Sequence, residues 1–383
     1  MIKHSLIIVT LNHQKNQSKK MKFSTIKLAL FFIGTSSIVS AQTMSFEEYN
    51  PKSTLVVPGK IIKKAKFPFI DVHGHQYRMP TQDLTPVITA MDTLNMGIMV
   101  NLSGRSGNDL IKSVKNIKDN YPNRFVVFAN IRFHNNVGKP GWIEATVKQL
   151  EVDVKNGARG LKVYKGLGLS NKDYKGNRVA VDDVRLDPIW KKCGELGIPV
   201  LIHSADPKSF WDPFDGDNER WLELKTRPRR KRSATNPAPW EQIMNEQKNM
   251  FKKHAKTTFI SAHMAWLSND LGKLGRLLDE VPNMNVGIGA IIAELGRQPR
   301  FAKQFFIKYQ NRILFGKDSW KPKEFPTYFR VLESNDEYFP YHKKYHAFWP
   351  MYGLDLPDDV LKKVYYKNAL RIVPGLDKTL FPN

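Results

Sequence analysis

Four of the chain's 10 histidines occupy places where chemistry could be done. His73 and His75 stand two apart in Asp71-Val72-His73-Gly74-His75. His203 closes Val200-Leu201-Ile202-His203, and His263 closes Phe259-Ile260-Ser261-Ala262-His263. Residues two apart at a strand end face the same side, and Gly74 leaves room between the two imidazoles. Imidazole suits zinc and related divalent ions, and a carboxylate such as that of Asp318 in Gly316-Lys317-Asp318 completes a mixed nitrogen and oxygen set. A lone His-x-His is a common surface feature, whereas four histidines and an aspartate closing strand-like runs form a specific pattern. A divalent ion lowers the pKa of a bound water from about 15.7 toward about 7, and a carboxylate beside it can take the proton.

These residues are far apart in the chain, so the fold must bring them together. Short β-branched or apolar runs recur at about 67–73, 97–103, 125–133, 158–164, 198–203, 257–263, 284–290 and 313–317. Between most of them lie stretches of helical length and period, such as Trp142 to Asn156, Trp240 to Lys256 and Asp270 to Glu280. Eight strand-then-helix units predict an α/β fold, a (β/α)8 TIM barrel over residues 67–375. Active sites of that fold sit at the C-terminal ends of the strands. Those ends carry His73 and His75, Lys162 and Tyr164, His203, His263 and Asp318. Residues 42–66 read as an N-terminal arm with one extended piece, Ser53 to Val57. The connections 204–239 and 319–356, after the fifth and eighth strands, are expected to be long loops, lids or disordered segments.

The N-terminus reads differently from the rest. Lys19, Lys20 and Lys22 precede the apolar run Leu28 to Ile33, which leads to Val39-Ser40-Ala41. Charge, a short apolar stretch and a small-residue ending are the pattern of a secretory signal. Residues 1–41 are therefore expected to be removed, with Met21 an alternative start, and the protein to be exported to the periplasm or beyond. No cysteine stands at the cleavage site to carry a lipid. Six lysines and no acidic residue lie in that segment, so the formal charge of +24 becomes +18 without it. Such a charge attracts anionic substrates or surfaces. No nucleic-acid-binding motif accompanies the basic run Lys225 to Arg232, which reads as a solvated loop, with an anion-binding patch as the other reading. No membrane-spanning helix is expected. Cys193, the one cysteine, cannot form an internal disulfide and reads as a small packed residue of a helix.

The segments Phe69 to His75, Val200 to His203, Phe259 to His263 and Arg312-Ile313-Leu314-Phe315-Gly316-Lys317-Asp318 resemble the signature segments of the amidohydrolase superfamily. The likeness is greatest to its amidohydrolase-related branch, which also contains aminocarboxymuconate semialdehyde decarboxylase. It extends over about residues 67–375, including the Asn368-Ala369 step near the end. The resemblance implies that His73, His75, His203 and Asp318 hold one divalent metal ion, zinc by preference. It makes Asp318 the base and places His263 beside the metal. Lys317 stands where the branch usually has threonine, which puts a cation near the mouth.

Lys162 carries two readings. Other branches of the superfamily carboxylate a strand-four lysine to bridge two metals; the decarboxylase-like branch has one metal and no strand-four ligand, leaving Lys162 to pair with a carboxylate. Arg105 and Arg297, after the second and seventh strands, could each clamp a substrate carboxylate, or be salt-bridged in their loops. Glu294 is placed to support a ligand from behind. Trp211, Trp266 and Trp320 could line an aromatic pocket, and His342 and His346 read as surface histidines of a lid. The leading function is hydrolysis of an ester, lactone or amide in a small, anionic substrate. The alternatives are non-oxidative decarboxylation of an acidic aromatic or unsaturated compound, and a basic binding protein without catalysis.

Overall fold

The computed structural model describes residues 44–343 and 349–382 of the chain. The signal segment 1–41 and His346 lie outside the described residues. Residues 44–48 belong to a separate small unit, a turn in which the Ser45 amide and hydroxyl both donate to Glu48 Oε2. In the second unit, eight strands run in chain order around one parallel sheet: β1 Phe69–Gly74, β2 Met96–Asn101, β3 Phe125–Asn130, β4 Ala158–Val163, β5 Val200–Ile202, β6 Phe259–Ser261, β7 Met284–Gly287 and β8 Ile313–Leu314. Each pairs with the next, and the Val72 amide donates to Phe315 O at 3.1 Å, bringing β1 against the exit of β8. The fold is a (β/α)8 TIM barrel.

The strands form because their runs are apolar on both faces, as a parallel sheet under a ring of helices requires. Every residue of β1, β5, β6, β7 and β8 is buried. The helices between them bury one stripe each. Trp142–Lys155, Trp240–Lys253 and Leu271–Glu280 fall where the sequence places them, the last capped by Asp270, whose carboxylate accepts from the Lys273 amide. Asn368 closes the last turn onto the barrel, its buried side-chain amide donating to Ile313 O and Gln310 O.

Residues 49–65 of the arm are irregular, and Val56 is almost fully exposed. Extended sequence without a partner edge stays unpaired. It is held by the Lys60 amide on Asp336 and the Ala65 amide on Leu94 O. The connections after β5 and β8 are long, as expected, and contain short elements among their described residues. The first contains the helix Trp221–Thr226, and the second contains the helix Phe325–Glu333 and a short antiparallel pair, Phe339–Pro340 with Pro350–Met351. Aromatic side chains account for the second, with Phe325, Phe329 and Phe315 packed on Phe69.

Cys193 lies in the helix Asp187–Glu195 with no exposed surface, and burial pushes its thiol well above the usual range. Only the thiolate reacts readily. A maleimide should therefore leave the folded chain unlabelled and modify it once in denaturant. Rapid labelling under native conditions would show that this helix opens.

Candidate metal centre

The C-terminal ends of the strands bring the predicted residues together. Among the described residues, His73, His75 and Asp318 have ligand atoms within 4.8 Å of one another. Asp318 Oδ1 is 3.4 Å from His73 Nε2 and 3.7 Å from His75 Nε2. His203 and His263 form the adjoining half: His203 Nδ1 is 3.1 Å from His263 Nε2, and the His263 and His73 rings lie 5.2 Å apart.

The backbone holds these groups by short links. Asp71 Oδ1 accepts from the amides of His73 and Lys317, which ties β1 to the exit of β8, and the Asp318 amide donates to His73 O at 2.9 Å. Close packing at that seam needs glycine. A Cβ on Gly316 would stand 2.8 Å from His73 Cβ, and one on Gly289 would stand 3.2 Å from His73 Nδ1. Beyond β6, His263, Met264, Ala265 and Trp266 all have positive φ, from 49° to 57°, and Asp318 has φ 84°. Left-handed backbone costs a residue with a side chain about 1–2 kcal/mol. Such strain collects where geometry serves a site.

Burial sets the charge state. It holds the imidazoles of His73 and His203 well below their ordinary range and those of His75 and His263 down to about 4, with Lys162 adding to the effect on His73 and His75. All four are neutral near pH 7 and offer lone pairs. On His263 the free nitrogen is identifiable: Nδ1 is 2.6 Å from Gly289 O, which can only accept, so Nδ1 carries the proton and Nε2 the lone pair. His73 Nδ1 and His203 Nε2 are buried without a hydrogen-bond partner. This donor set fits a divalent ion. Two atoms each about 2.0–2.1 Å from one zinc stand about 3.3–3.4 Å apart at a tetrahedral angle, close to the spacing of Asp318 Oδ1 and His73 Nε2.

Lys162 emerges from β4 into the same space. Its ammonium is buried 3.4 Å from His73 Nε2, and burial brings its pKa down to about 7. It has no carboxylate within ion-pair distance among the described residues, so its expected pairing is not made.

Other predicted residues lie elsewhere. Arg105 donates to Asp109 and to Tyr77 O on an exposed loop, and Arg297 pairs with Glu219 at 3.0 Å and lies over Trp349. Glu294 binds buried Arg220, which also holds Glu223 at 2.8 Å, so it supports no histidine directly; the turn after β7 supplies Gly289 O for that role instead. Lys317 is not a cation at the mouth. Its side chain is 1% exposed and donates to Glu324 and to Ser319 O, which neutralises it inside the loop. Of the tryptophans, Trp266 stacks on His263 at 4.4 Å, Trp211 donates to Ala238 O, and Trp320 packs on Phe325. His342 is mostly buried, 3.4 Å from Glu324.

A cavity of about 130 Å³ opens in front of His203, His263 and Asp318, walled by Phe210, Trp266, Lys165, Arg230 and Lys343 among others. The basic run is thus not wholly solvated: Arg230 reaches this wall and pairs with Glu223, and Arg232 pairs with Asp206 at 2.8 Å. No helix among the described residues is long and apolar enough to cross a membrane.

No curated protein matches the chain. Similar solved structures include a 4-oxalomesaconate hydratase from Rhodopseudomonas palustris, 14% identical with TM-score 0.49, covering 82% of this chain and 97% of that one. A 5-carboxyvanillate decarboxylase from Sphingomonas paucimobilis is 12% identical with TM-score 0.46, covering 80% and 99%. An amidohydrolase from Burkholderia multivorans, solved with bound zinc, is 11% identical with TM-score 0.46, covering 80% and 98%. The sequence profile described as Amidohydrolase matches residues 70–375, from the first strand of the barrel to the turn beyond its last helix. That span takes in every histidine of the cluster and Asp318, and it places the chain in the amidohydrolase family.

Proposed function

We propose that the protein is a metal-dependent hydrolase of an ester, lactone or amide bond in a small anionic substrate. His73, His75, His203 and Asp318 hold one divalent ion, zinc by preference, and His263 stands beside it. When bound, the ion supplies Lewis acidity and makes a water acidic enough to give up its proton near neutral pH. The observation that carries the reading is the carboxylate of Asp318. It sits within 3.7 Å of two neutral imidazoles, with no lysine or arginine paired to it among the described residues, and its side chain is 37% exposed toward the cavity. A carboxylate so placed can accept a proton at Oδ1 and return it to a leaving group.

The remaining roles follow from the chain's own groups. His263, fixed by Gly289 O, keeps Nε2 as its bare nitrogen beside His203 Nδ1, at the edge of the cavity. Trp266 and Phe210 supply apolar walls that exclude water. Lys165 and Arg230 are neutralised by Asp206 and Glu223, whereas Lys343 has no such partner among the described residues and favours an anionic group on the substrate. Lys343 equally favours a second reading, loss of carbon dioxide from an acidic substrate. A panel of esters, lactones, amides and carboxylic acids, assayed for acid release and for carbon dioxide, separates the two. Acid release that stops with chelator supports the hydrolase, and carbon dioxide release from the carboxylic acids alone overturns it.

Lys162 tests the number of metals. With one ion, Lys162→Ala retains a single tightly bound metal per chain, as the wild type does, when metal content is measured by mass spectrometry. Two ions in the wild type and fewer in the variant would make Lys162 a carboxylated bridge.

A further inference from the structure

His75 makes one hydrogen bond that nothing in the reaction uses. Its Nδ1 is 2.7 Å from Ser103 Oγ, just beyond β2, and Ser103 Oγ is 3.1 Å from the hydroxyl of Tyr164, just beyond β4. The Tyr164 hydroxyl is also 3.1 Å from Leu102 O. We infer that Ser103 and Tyr164 are positioning residues that place the proton of His75 on Nδ1, so that its Nε2 lone pair faces Asp318 before any ion binds.

The direction of the relay follows from its far end. A carbonyl oxygen can only accept, so the hydrogen bond at Leu102 O uses the one proton of the Tyr164 hydroxyl. Ser103 then donates its own proton to the Tyr164 oxygen, and the Tyr77 hydroxyl, which also hydrogen-bonds Ser103, can donate to the serine oxygen. That oxygen is left to accept, and the donor that meets it from His75 is Nδ1–H. A neutral imidazole has one proton, so Nε2 is the bare nitrogen. That nitrogen looks at Asp318 Oδ1 across 3.7 Å, an acceptor facing an acceptor, an arrangement that a cation between them would relieve.

The relay is rigid. Asn101 Oδ1 accepts from the amides of both Gln76 and Ser103, so the backbone after His75 and the backbone of Ser103 share one buried anchor. The imidazole also stacks on two rings, Tyr77 at 5.4 Å and 6° and Tyr164 at 5.9 Å and 27°. Ring orientation and tautomer are therefore set by separate contacts, as partners of metal-binding histidines commonly do.

The inference rests on the reading of His75 as a ligand, and three variants keep the two apart. In Tyr164→Phe, made in a Tyr77→Phe background because Tyr77 also hydrogen-bonds Ser103, Ser103 loses both phenol partners and can turn its proton toward His75 Nδ1, which moves the imidazole proton to Nε2. In Ser103→Ala the Nδ1–H loses its partner, and Ser103→Thr restores it. Zinc affinity of the full chain is measured by competition with a chromophoric chelator. The tautomer of His75 is read from nitrogen-15 NMR of the zinc-free chain, its signal assigned by its loss in His75→Gln. The expected result is Nδ1–H in the wild type and Ser103→Thr, a shift toward Nε2–H in Tyr164→Phe, and zinc binding about 10- to 100-fold weaker in Tyr164→Phe and Ser103→Ala. A wild-type His75 protonated on Nε2, or unchanged affinity in both variants while His75→Gln weakens zinc, overturns the relay alone. Unchanged zinc binding in His75→Gln overturns the ligand reading beneath it.

Discussion

In Asp318→Asn, turnover is expected to fall by about 10² to 10⁴ while much of the metal stays bound. The substitution is unusually clean at this position. Asp318 has φ 84°, and asparagine, like aspartate, tolerates positive φ better than most residues, so the backbone after β8 has no reason to move. Asparagine also keeps the shape and one oxygen within reach of His73 and His75. What it loses is the ability to take a proton near neutral pH. The measurement is turnover at saturating substrate together with metal content. A metal-loaded variant working at the wild-type rate would remove the hydroxide mechanism and shift preference to carbon dioxide loss, which does not consume an activated water.

His75→Ala should abolish turnover and lower metal content, and His73→Ala should do the same, with the barrel still folded. Each removes one of the three groups whose ligand atoms converge within 4.8 Å. Two of the three groups remaining at that corner cannot hold an ion as three do. Folding should survive because His75 stands just beyond β1 and His73 at its C-terminal end, at the mouth rather than among the layers that pack the barrel interior. The more demanding case is His73, buried against Gly289 and Gly316. Its truncation is expected to cost stability in the ordinary range for a single substitution, about 0.5–3 kcal/mol. Circular dichroism on heating, metal analysis and turnover together make the check; normal metal content with normal turnover in either variant would rule the site out.

Much of this was legible in the sequence because barrel strands announce themselves twice, by apolar runs and by the ionisable residues that end them. β5, β6 and β8 are only two or three residues long, yet His203, His263 and Asp318 mark where they stop. The cluster followed from the fold, since strand ends of one barrel share one mouth. The supporting contacts did not. Ser103 and Gly289 act through positions fixed by neighbouring strands, and a backbone carbonyl such as Gly289 O has no residue type to signal it. Glu294 and Lys317 mislead for the same reason. Each follows the right strand, but its side chain is captured by a charge from a long connection, Arg220 after β5 in one case and Glu324 after β8 in the other. The segments 204–239 and 319–356 look like loops because the elements among their described residues rest on packing against aromatic rings and buried ion pairs, not on a repeating period.

The left-handed run from His263 to Trp266 has a consequence for anyone who would improve this protein. Four successive residues held in an unfavourable backbone well make this corner a place where the chain could gain stability by relaxing. Ala265→Gly would remove part of that penalty without touching an imidazole. Yet Trp266 stacks on His263 through the same turn, so a looser turn would free the ring that orients it. Selection for heat resistance alone would then be drawn toward this turn, and the variants it favoured would be sturdier proteins with a less well-aimed His263.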